Sequence, residues 1–308
     1  MKKVLVIGSF MMDLVVLTSR APMEGETIVG KSFYQFTGGK GANQAVAASR
    51  LGIDVAMIGK LGKDAFGQAH IDSLKKEGID HKSVLFDDTE SSGVGNITLE
   101  ENGNNRIIVV PGANLKLSPS DIEDFEEQIK NSDIIILQLE VPFETVYKSI
   151  ELAHKHGKLV ILNPAPAAII PEEFIKLVDY IVPNESEAFI LTGIKVNNIS
   201  SARDAAKALL NLGCKNVIIT LGDKGVFFMN NNEEIFQESF KVKAVDTTAA
   251  GDSFIGGFAY SLANGFEYKK ALEFSCAVGA LTVTNIGAQP SLPRIEEVNR
   301  FIEERKNQ

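Results

Sequence analysis

The stretch Asp246-Thr247-Thr248-Ala249-Ala250-Gly251-Asp252-Ser253-Phe254 is where residue type and spacing speak most directly of chemistry. A turn of small residues ends in an acid and runs at once into an apolar helical pattern. Such a turn aims the backbone N–H groups of Ala249, Ala250 and Gly251 at one point, and the positive end of the helix dipole favours negative charge there. The three residues form an anion hole suited to a phosphoryl group in transfer. Asp252 has two readings: it caps the helix, or it is a general base, because a carboxylate beside an anion hole repels phosphate unless it takes up a proton.

A second cluster, Thr37-Gly38-Gly39-Lys40-Gly41-Ala42-Asn43, precedes a helical pattern over 43–51. Its glycines permit close backbone approach to a ligand, Lys40 supplies a cation, and Asn43 both donates and accepts, as sugar hydroxyls require. A flexible turn with a helix cap reads equally well from these residues. The cluster is not a Walker P-loop, since no Ser or Thr follows Lys40, nor is it G-x-G-x-x-G. Asp13 follows the first predicted strand and Glu140 follows a later one, at the strand ends where open α/β sheets bind ligands; each is otherwise a solvated turn residue. Asn184 and Glu187 lie one helical turn apart and could meet phosphates or a hydrated Mg²⁺, or form a cap. Thr220-Leu221-Gly222-Asp223-Lys224-Gly225 either lets a nucleotide lie against backbone or is a hairpin turn.

These residues need a scaffold. Short apolar runs at 4–7, 55–58, 134–139, 159–162, 180–182, 217–221 and 226–229 read as strands. Helical patterns at 64–77, 121–130, 144–156, 172–178 and 201–212 lie between them. The alternation predicts a mainly parallel sheet covered by helices on both faces. Two stretches, 18–36 and 91–112, break the rhythm; the second reads as a hairpin turning at Asn102-Gly103-Asn104. Together they form a small β-sheet lid, spanning about 14–37 and 91–112, on a single α/β domain of residues 1–308. Its uncovered edge or face invites pairing with a second subunit. Two Ala- and Gly-rich helices, 251–264 and 268–284, are expected near the end.

The chain has 308 residues, 44% hydrophobic and 23% charged, which suits a soluble globular protein with a large core. A net charge of −9 argues against a nucleic-acid or membrane-surface binder without excluding an anionic ligand held in a local cradle. Cys214 and Cys276 lack metal-ligand spacing and nothing resembles a targeting or spanning segment, so a reduced cytoplasmic setting is expected.

Taken in order, the motifs resemble the ribokinase family of carbohydrate kinases, also called the PfkB family. The resemblance covers nearly the whole chain: Gly8-Ser9 with Asp13, Gly38 to Ala45, Gln138-Leu139-Glu140, Asn163-Pro-Ala-Pro166, Pro183-Asn184-Glu185, Thr220-Leu221-Gly222, Asp246 to Asp252, and Gly287-Ala-Gln-Pro-Ser291. It implies a ribokinase-like, Rossmann-like three-layer body with a β lid. Asp252 would be the base, and Ala249, Ala250 and Gly251 the anion hole. The sugar would be held by Asp13, Gly39, Lys40, Gly41, Asn43 and Glu140. ATP would lie at Asn184, along Thr220 to Gly225 and near Cys276, with Glu187 organising Mg²⁺ through water. An activating K⁺ would sit at Asp246, Thr248, Thr282, Asn285, Gly287 and Ser291, largely on backbone carbonyls.

One position departs from the pattern. Typical members carry Asn two residues before the sugar-binding Asp, whereas this chain has Met11. Met cannot replace hydrogen bonds to a sugar hydroxyl, at a cost of about 1–3 kcal/mol if that hydroxyl stays buried. Members known as deoxyribokinases resemble the chain in having Met there, which points toward 2-deoxy-D-ribose; Met11 as a neutral core variant of a ribokinase stands beside that reading. The expectation is a kinase for the 5-hydroxyl of D-ribose, 2-deoxy-D-ribose or both. Its rivals are a kinase for another small sugar, a non-catalytic sugar or nucleotide sensor on the same fold, and a dinucleotide-dependent oxidoreductase, which the missing glycine fingerprint disfavours.

Overall fold

In the strand Lys3–Ile7, Val4 and Val6 join one buried cluster while Leu5 and Ile7 join another, because successive side chains leave a strand on opposite faces. The same split runs through the computed structural model, which describes residues 2–101 and 104–306. Its strands are β1 (Lys3–Ile7), β2 (Met11–Thr18), β3 (Ser32–Gly38), β4 (Asp54–Gly62), β5 (Asp80–Asp87), β6 (Val94–Glu100), β7 (Asn105–Val110), β8 (Ile134–Leu137), β9 (Leu159–Leu162), β10 (Tyr180–Ile181), β11 (Asn216–Thr220), β12 (Gly225–Asn230) and β13 (Glu234–Glu238). Nine of them form one sheet in the order β13-β12-β11-β10-β9-β8-β1-β4-β5. Its neighbours pair in parallel except β12, which is antiparallel to both β11 and β13.

One face of this sheet is covered by the helices Lys40–Arg50, Ala65–Lys76, Ala250–Ala263 and Tyr268–Thr282, and the other by Pro119–Asp124, Glu126–Lys130, Phe143–Lys155 and Ile199–Asn211. The mainly parallel sheet with helices on both faces is the architecture that the alternating pattern predicts. Two edge strands, β5 and β13, escape that pattern, since half-solvated edges carry polar residues among the apolar ones. The helix expected over 121–130 is broken at Phe125 into two short ones. That expected over 172–178 is a single turn, Glu172–Ile175.

The two stretches that interrupt the rhythm pair with each other in a separate sheet of order β3-β2-β6-β7. There β2 runs antiparallel to β3 and parallel to β6, and β7 is antiparallel to β6. The expected turn residues Asn102 and Gly103 lie outside the described residues. The small sheet begins earlier than its apolar run suggests, so Asp13 lies inside β2 and not at the mouth of a strand of the large sheet. No helix among the described residues is long and apolar enough to cross a membrane.

Candidate functional site

The helix Ala250–Ala263 begins two residues before Asp252, so the acid sits in its first turn and not at its cap. The capping position belongs to Ala249, which has no capping side chain and stands at φ 60, the one left-handed non-glycine among the described residues. That conformation costs an L-residue on the order of 1 kcal/mol and swings the peptide groups outward. The Ala250 N–H bonds back to the Thr247 carbonyl at 3.3 Å, while those of Ala249 and Gly251 have no backbone partner among the described residues. A Cβ placed on Gly251 would meet nothing within 4 Å, and Ala249 to Gly251 line a cavity. Unpaired N–H groups at the positive end of a fourteen-residue helix are the kind of place where negative charge is favoured.

Asp252 is buried, and different carboxamides hold its two oxygens. Oδ2 accepts from Asn43 Nδ2 at 2.9 Å and Oδ1 from Gln44 Nε2 at 2.9 Å. Both donors come from the helix Lys40–Arg50, which reaches the acid because Gly256 lets the two helices touch; a Cβ there would fall 2.5 Å from that of Ala47. The amide oxygen of Asn43 is buried without a partner, an acceptor left for a ligand. This helix starts at Lys40, three residues before its apolar pattern, and is entered through Gly39 at φ 90. Any side chain at Gly39 would strike the Met11 backbone N, 2.6 Å away. Gly41 is likewise pressed against the Ser9 backbone.

Glu140 binds the start of that helix: its Oε2 accepts from the Lys40 N–H at 3.0 Å and from the Ser9 hydroxyl. Burial raises the Glu140 pKa despite the opposing pull of Lys40. Burial likewise works against the Lys40 ammonium, but Asp252, Glu140 and Glu187 outweigh it and the net shift is upward, so the cation keeps its charge. Asp13 enters the same field from β2. Its carboxyl lies between Gly38 and Gly95, either of which would collide with it if given a Cβ. Burial first, then the charges of Glu140, Asp252 and Asp246, push it up to about 7. Met11, two residues earlier and 6% exposed, is accommodated by Gly93, whose Cβ would lie 2.7 Å from Sδ.

Toward the other half of the sheet, Asn184 and Glu187 form a reciprocal capping box on the helix Glu185–Thr192. The cap that the sequence offered as an alternative is therefore present, and both residues still line a cavity of about 200 Å³. Lys40, Asn163, Val182, Thr220, Thr247, Ile255 and the segment Ala249 to Asp252 complete its wall. Thr220 reaches it through a bridge to Asn184. Beyond Thr220, Gly222 to Lys224 make a tight turn between antiparallel strands, with Asp223 and Lys224 exposed and Leu221 in the core. Cys276 is 7% exposed in the apolar core, which drives its thiol up to about 12; it contributes no wall to this cavity.

Asp246 ties two loops together, accepting from Thr248 N and Oγ1 and from Gly287 N. The Thr282 and Ser291 hydroxyls bond to backbone carbonyls in their own segments, and Asn285 is exposed. The structure adds residues to which the sequence assigned no role, above all Gln44, Gln138, Asn163 and Ser9. All four stand in the motifs that carry the resemblance, but only the fold shows what they touch.

An anion site, a buried acid within reach of it, and amide and carboxyl groups for hydroxyls are a kinase-like set, and the comparisons with known proteins agree. The family model described as pfkB family carbohydrate kinase matches residues 1–295. A protein named deoxyribokinase from Salmonella typhi is 42% identical over 298 residues, covering 96% of this chain and 97% of its own. A ribokinase from Staphylococcus aureus is 40% identical over 97% of this chain and 99% of its own. The structure of Arabidopsis thaliana ribokinase complexed with ribose and ATP superposes with a TM-score of 0.92 at 33% identity, covering 98% of this chain and 99% of that one. With the match running from one end of the α/β body to the other, the chain belongs to the pfkB family of carbohydrate kinases.

Proposed function

We propose that the chain transfers the γ-phosphoryl group of Mg·ATP to the 5-hydroxyl of D-ribose or 2-deoxy-D-ribose. The observation that carries this reading is one cavity in which open backbone donors at Ala249 and Gly251 adjoin the Asp252 carboxylate, whose partner Asn43 keeps an unpaired amide oxygen. The sugar lies among Asp13, Gly39, Lys40, Gly41, Asn43 and Glu140, and the nucleotide along Asn184, Thr220 to Gly225 and toward Cys276. Asp252 removes the hydroxyl proton as the sugar oxygen attacks the γ-phosphorus. The bond to the bridging oxygen breaks and ADP leaves, while the anion site and Lys40 offset charge on the transferring oxygens.

The residues fit the implied ions. Glu187, raised by burial and facing the cavity, would hold hydrated Mg²⁺, which supplies charge neutralisation between phosphates when bound. Asp246, Thr248, Thr282, Asn285, Gly287 and Ser291 would hold K⁺ on loops already joined by the Asp246–Gly287 bond. We read the chain as one domain whose small sheet closes over the sugar as a lid and pairs with a second copy through exposed Phe33, Tyr34 and Ile107 to Val110. Two free, buried cysteines accord with a cytoplasmic setting.

Met11 favours the deoxy sugar, because it offers no hydrogen bond to a hydroxyl buried against it. Both sugars are to be assayed for ADP release with Mg·ATP. The wild type is expected to turn over, Asp252→Asn to lose about 10²–10⁴-fold in kcat, and Met11→Asn to shift kcat/KM toward ribose by roughly tenfold. No ADP with either pentose would leave a sensor or a kinase for a different sugar, and an unmoved ratio would remove Met11 from specificity.

A further inference from the structure

Four polar side chains meet inside the core where the helix Lys40–Arg50 passes the ends of β8 and β9. Gln44 and Gln138 are 0% exposed, Asn163 8% and Asp252 6%. Gln44 Nε2 donates to Asp252 Oδ1 at 2.9 Å and to Asn163 Oδ1 at 3.2 Å, and its Oε1 accepts from Gln138 Nε2 at 2.6 Å. Asn163 in turn donates to the Val182 carbonyl at 3.1 Å. We propose that Gln44 is a positioning residue for the catalytic acid, held by Asn163 in the amide orientation that keeps a donor on Asp252, with Gln138 bonded to its oxygen. The proposal rests on the reading of Asp252 as the base.

The orientation follows from counting donors and acceptors. Turned over, the Gln44 amide would set its oxygen against the Asp252 carboxylate and the Asn163 oxygen, and its NH₂ against that of Gln138. Gln138, whose Oε1 has no partner, can turn with it, but the contacts with Asp252 and Asn163 would become repulsive. Asn163 cannot turn to compensate without losing the Val182 carbonyl. Filling the space alone does not require an amide here, since Met has nearly the volume of Gln, although it would leave Asp252 Oδ1, Asn163 Oδ1 and Gln138 Nε2 without their Gln44 partner. The network even leaves the Gln138 Oε1 atom buried without a partner. What it secures is the plane of the carboxylate: consecutive residues, Asn43 and Gln44, place one donor on each oxygen and leave each oxygen a second lone pair for the incoming hydroxyl proton.

The charged groups whose fields couple to Asp252 are Lys40 from the same helix, Glu140 beyond β8, Glu187 from the helix Glu185–Thr192, and Asp13 from β2. Replacing neutral Gln44 with Met alters none of them. It removes a donor that favours the ionised acid, so the acid limb of the pH profile should move toward higher pH.

The test is Gln44→Met with full Michaelis parameters from about pH 5 to about pH 9. Expected are a kcat lower by roughly tenfold, KM values for pentose and Mg·ATP within about twofold of wild type, and an acid limb displaced upward by about one pH unit. Gln44→Glu, of nearly the same shape, brings a like charge and should move the limb further the same way. Gln138→Met, which only removes the donor to Gln44 Oε1, should move it less. A folded Gln44→Met enzyme with an unshifted limb, or with changes confined to KM, overturns the proposal; should it not fold, a wild-type limb in Gln44→Glu does so. Carboxyl ¹³C NMR of labelled aspartate follows the Asp252 titration without turnover. An inactive wild type would therefore sink the kinase reading, while an upward-shifted Asp252 titration in Gln44→Met would still uphold the role of Gln44.

Discussion

Asp13 bears a folding penalty that its proposed place in the sugar site would explain. Its carboxyl is pushed up to about 7 from an ordinary 3.8, by burial first and then by Glu140, Asp252 and Asp246. A folded value above the unfolded one means that the native state binds the proton more tightly. The associated stability is therefore complete below about pH 4 and is lost as pH rises through about 7. Asp13→Asn carries no such charge. Without sugar, its Tm should gain on that of the wild type between about pH 5 and about pH 8, while its pentose affinity falls by tenfold or more. Parallel Tm curves across that range would show that the penalty is absent. The motifs made Asp13, Lys40, Asn43 and Asp252 legible because charged or amide side chains stand there among glycines and other small residues that let a ligand approach. Gln44 was not, although it stands in the buried run Gly41 to Ala48 of the helix Lys40–Arg50, where a Gln must find a partner. Asn184 and Glu187 show the opposite case, where a cap and a cavity wall are the same two side chains.

At the scale of elements, Asp252, the base in our proposal, is placed by the spacing of two helices. Gly256 lies one turn after Asp252, and a side chain there would begin 2.5 Å from the Ala47 Cβ and 2.9 Å from the Ala48 N. Gly256→Val should force the helices apart, lower stability by about 1–3 kcal/mol and reduce kcat through the displaced Asp252–Asn43 and Asp252–Gln44 bonds. Urea unfolding together with ADP release measures both. A loss of stability with kcat unchanged would mean that the helix spacing does not set the base. The strand–helix alternation made the large sheet readable because parallel central strands are continuous apolar runs. Its edges were not, since β5 and β13 mix polar with apolar residues. The place of Asp13 was hidden for another reason: membership of β2 is decided by pairing with β3 and β6, and β6 lies some eighty residues further along the chain, where local pattern is silent.

At the scale of the whole molecule, the question is what faces the small sheet. One side is fastened to the body: the Thr37 hydroxyl from β3 and the Ser73 hydroxyl both donate to Gln289 Oε1, and Arg50 donates to the Gln289 and Leu292 carbonyls. Beyond that attachment, β7 is an edge strand with every residue exposed, and Ile107, Ile108, Val109 and Val110 are each more than half accessible. An apolar edge strand with unpaired backbone groups draws another strand, and in the pairing we propose a second copy offering the same strand would close the arrangement by two-fold symmetry. Sedimentation at micromolar concentration should give twice the chain mass of 33.4 kDa. Ile108→Lys, which puts a charge on the most exposed of the four, should bring the mass back to one chain and raise the KM for pentose as the sheet loses its support, with the far-UV spectrum unchanged. A wild-type chain that sediments as a monomer would leave these four side chains without the partner that their exposure calls for.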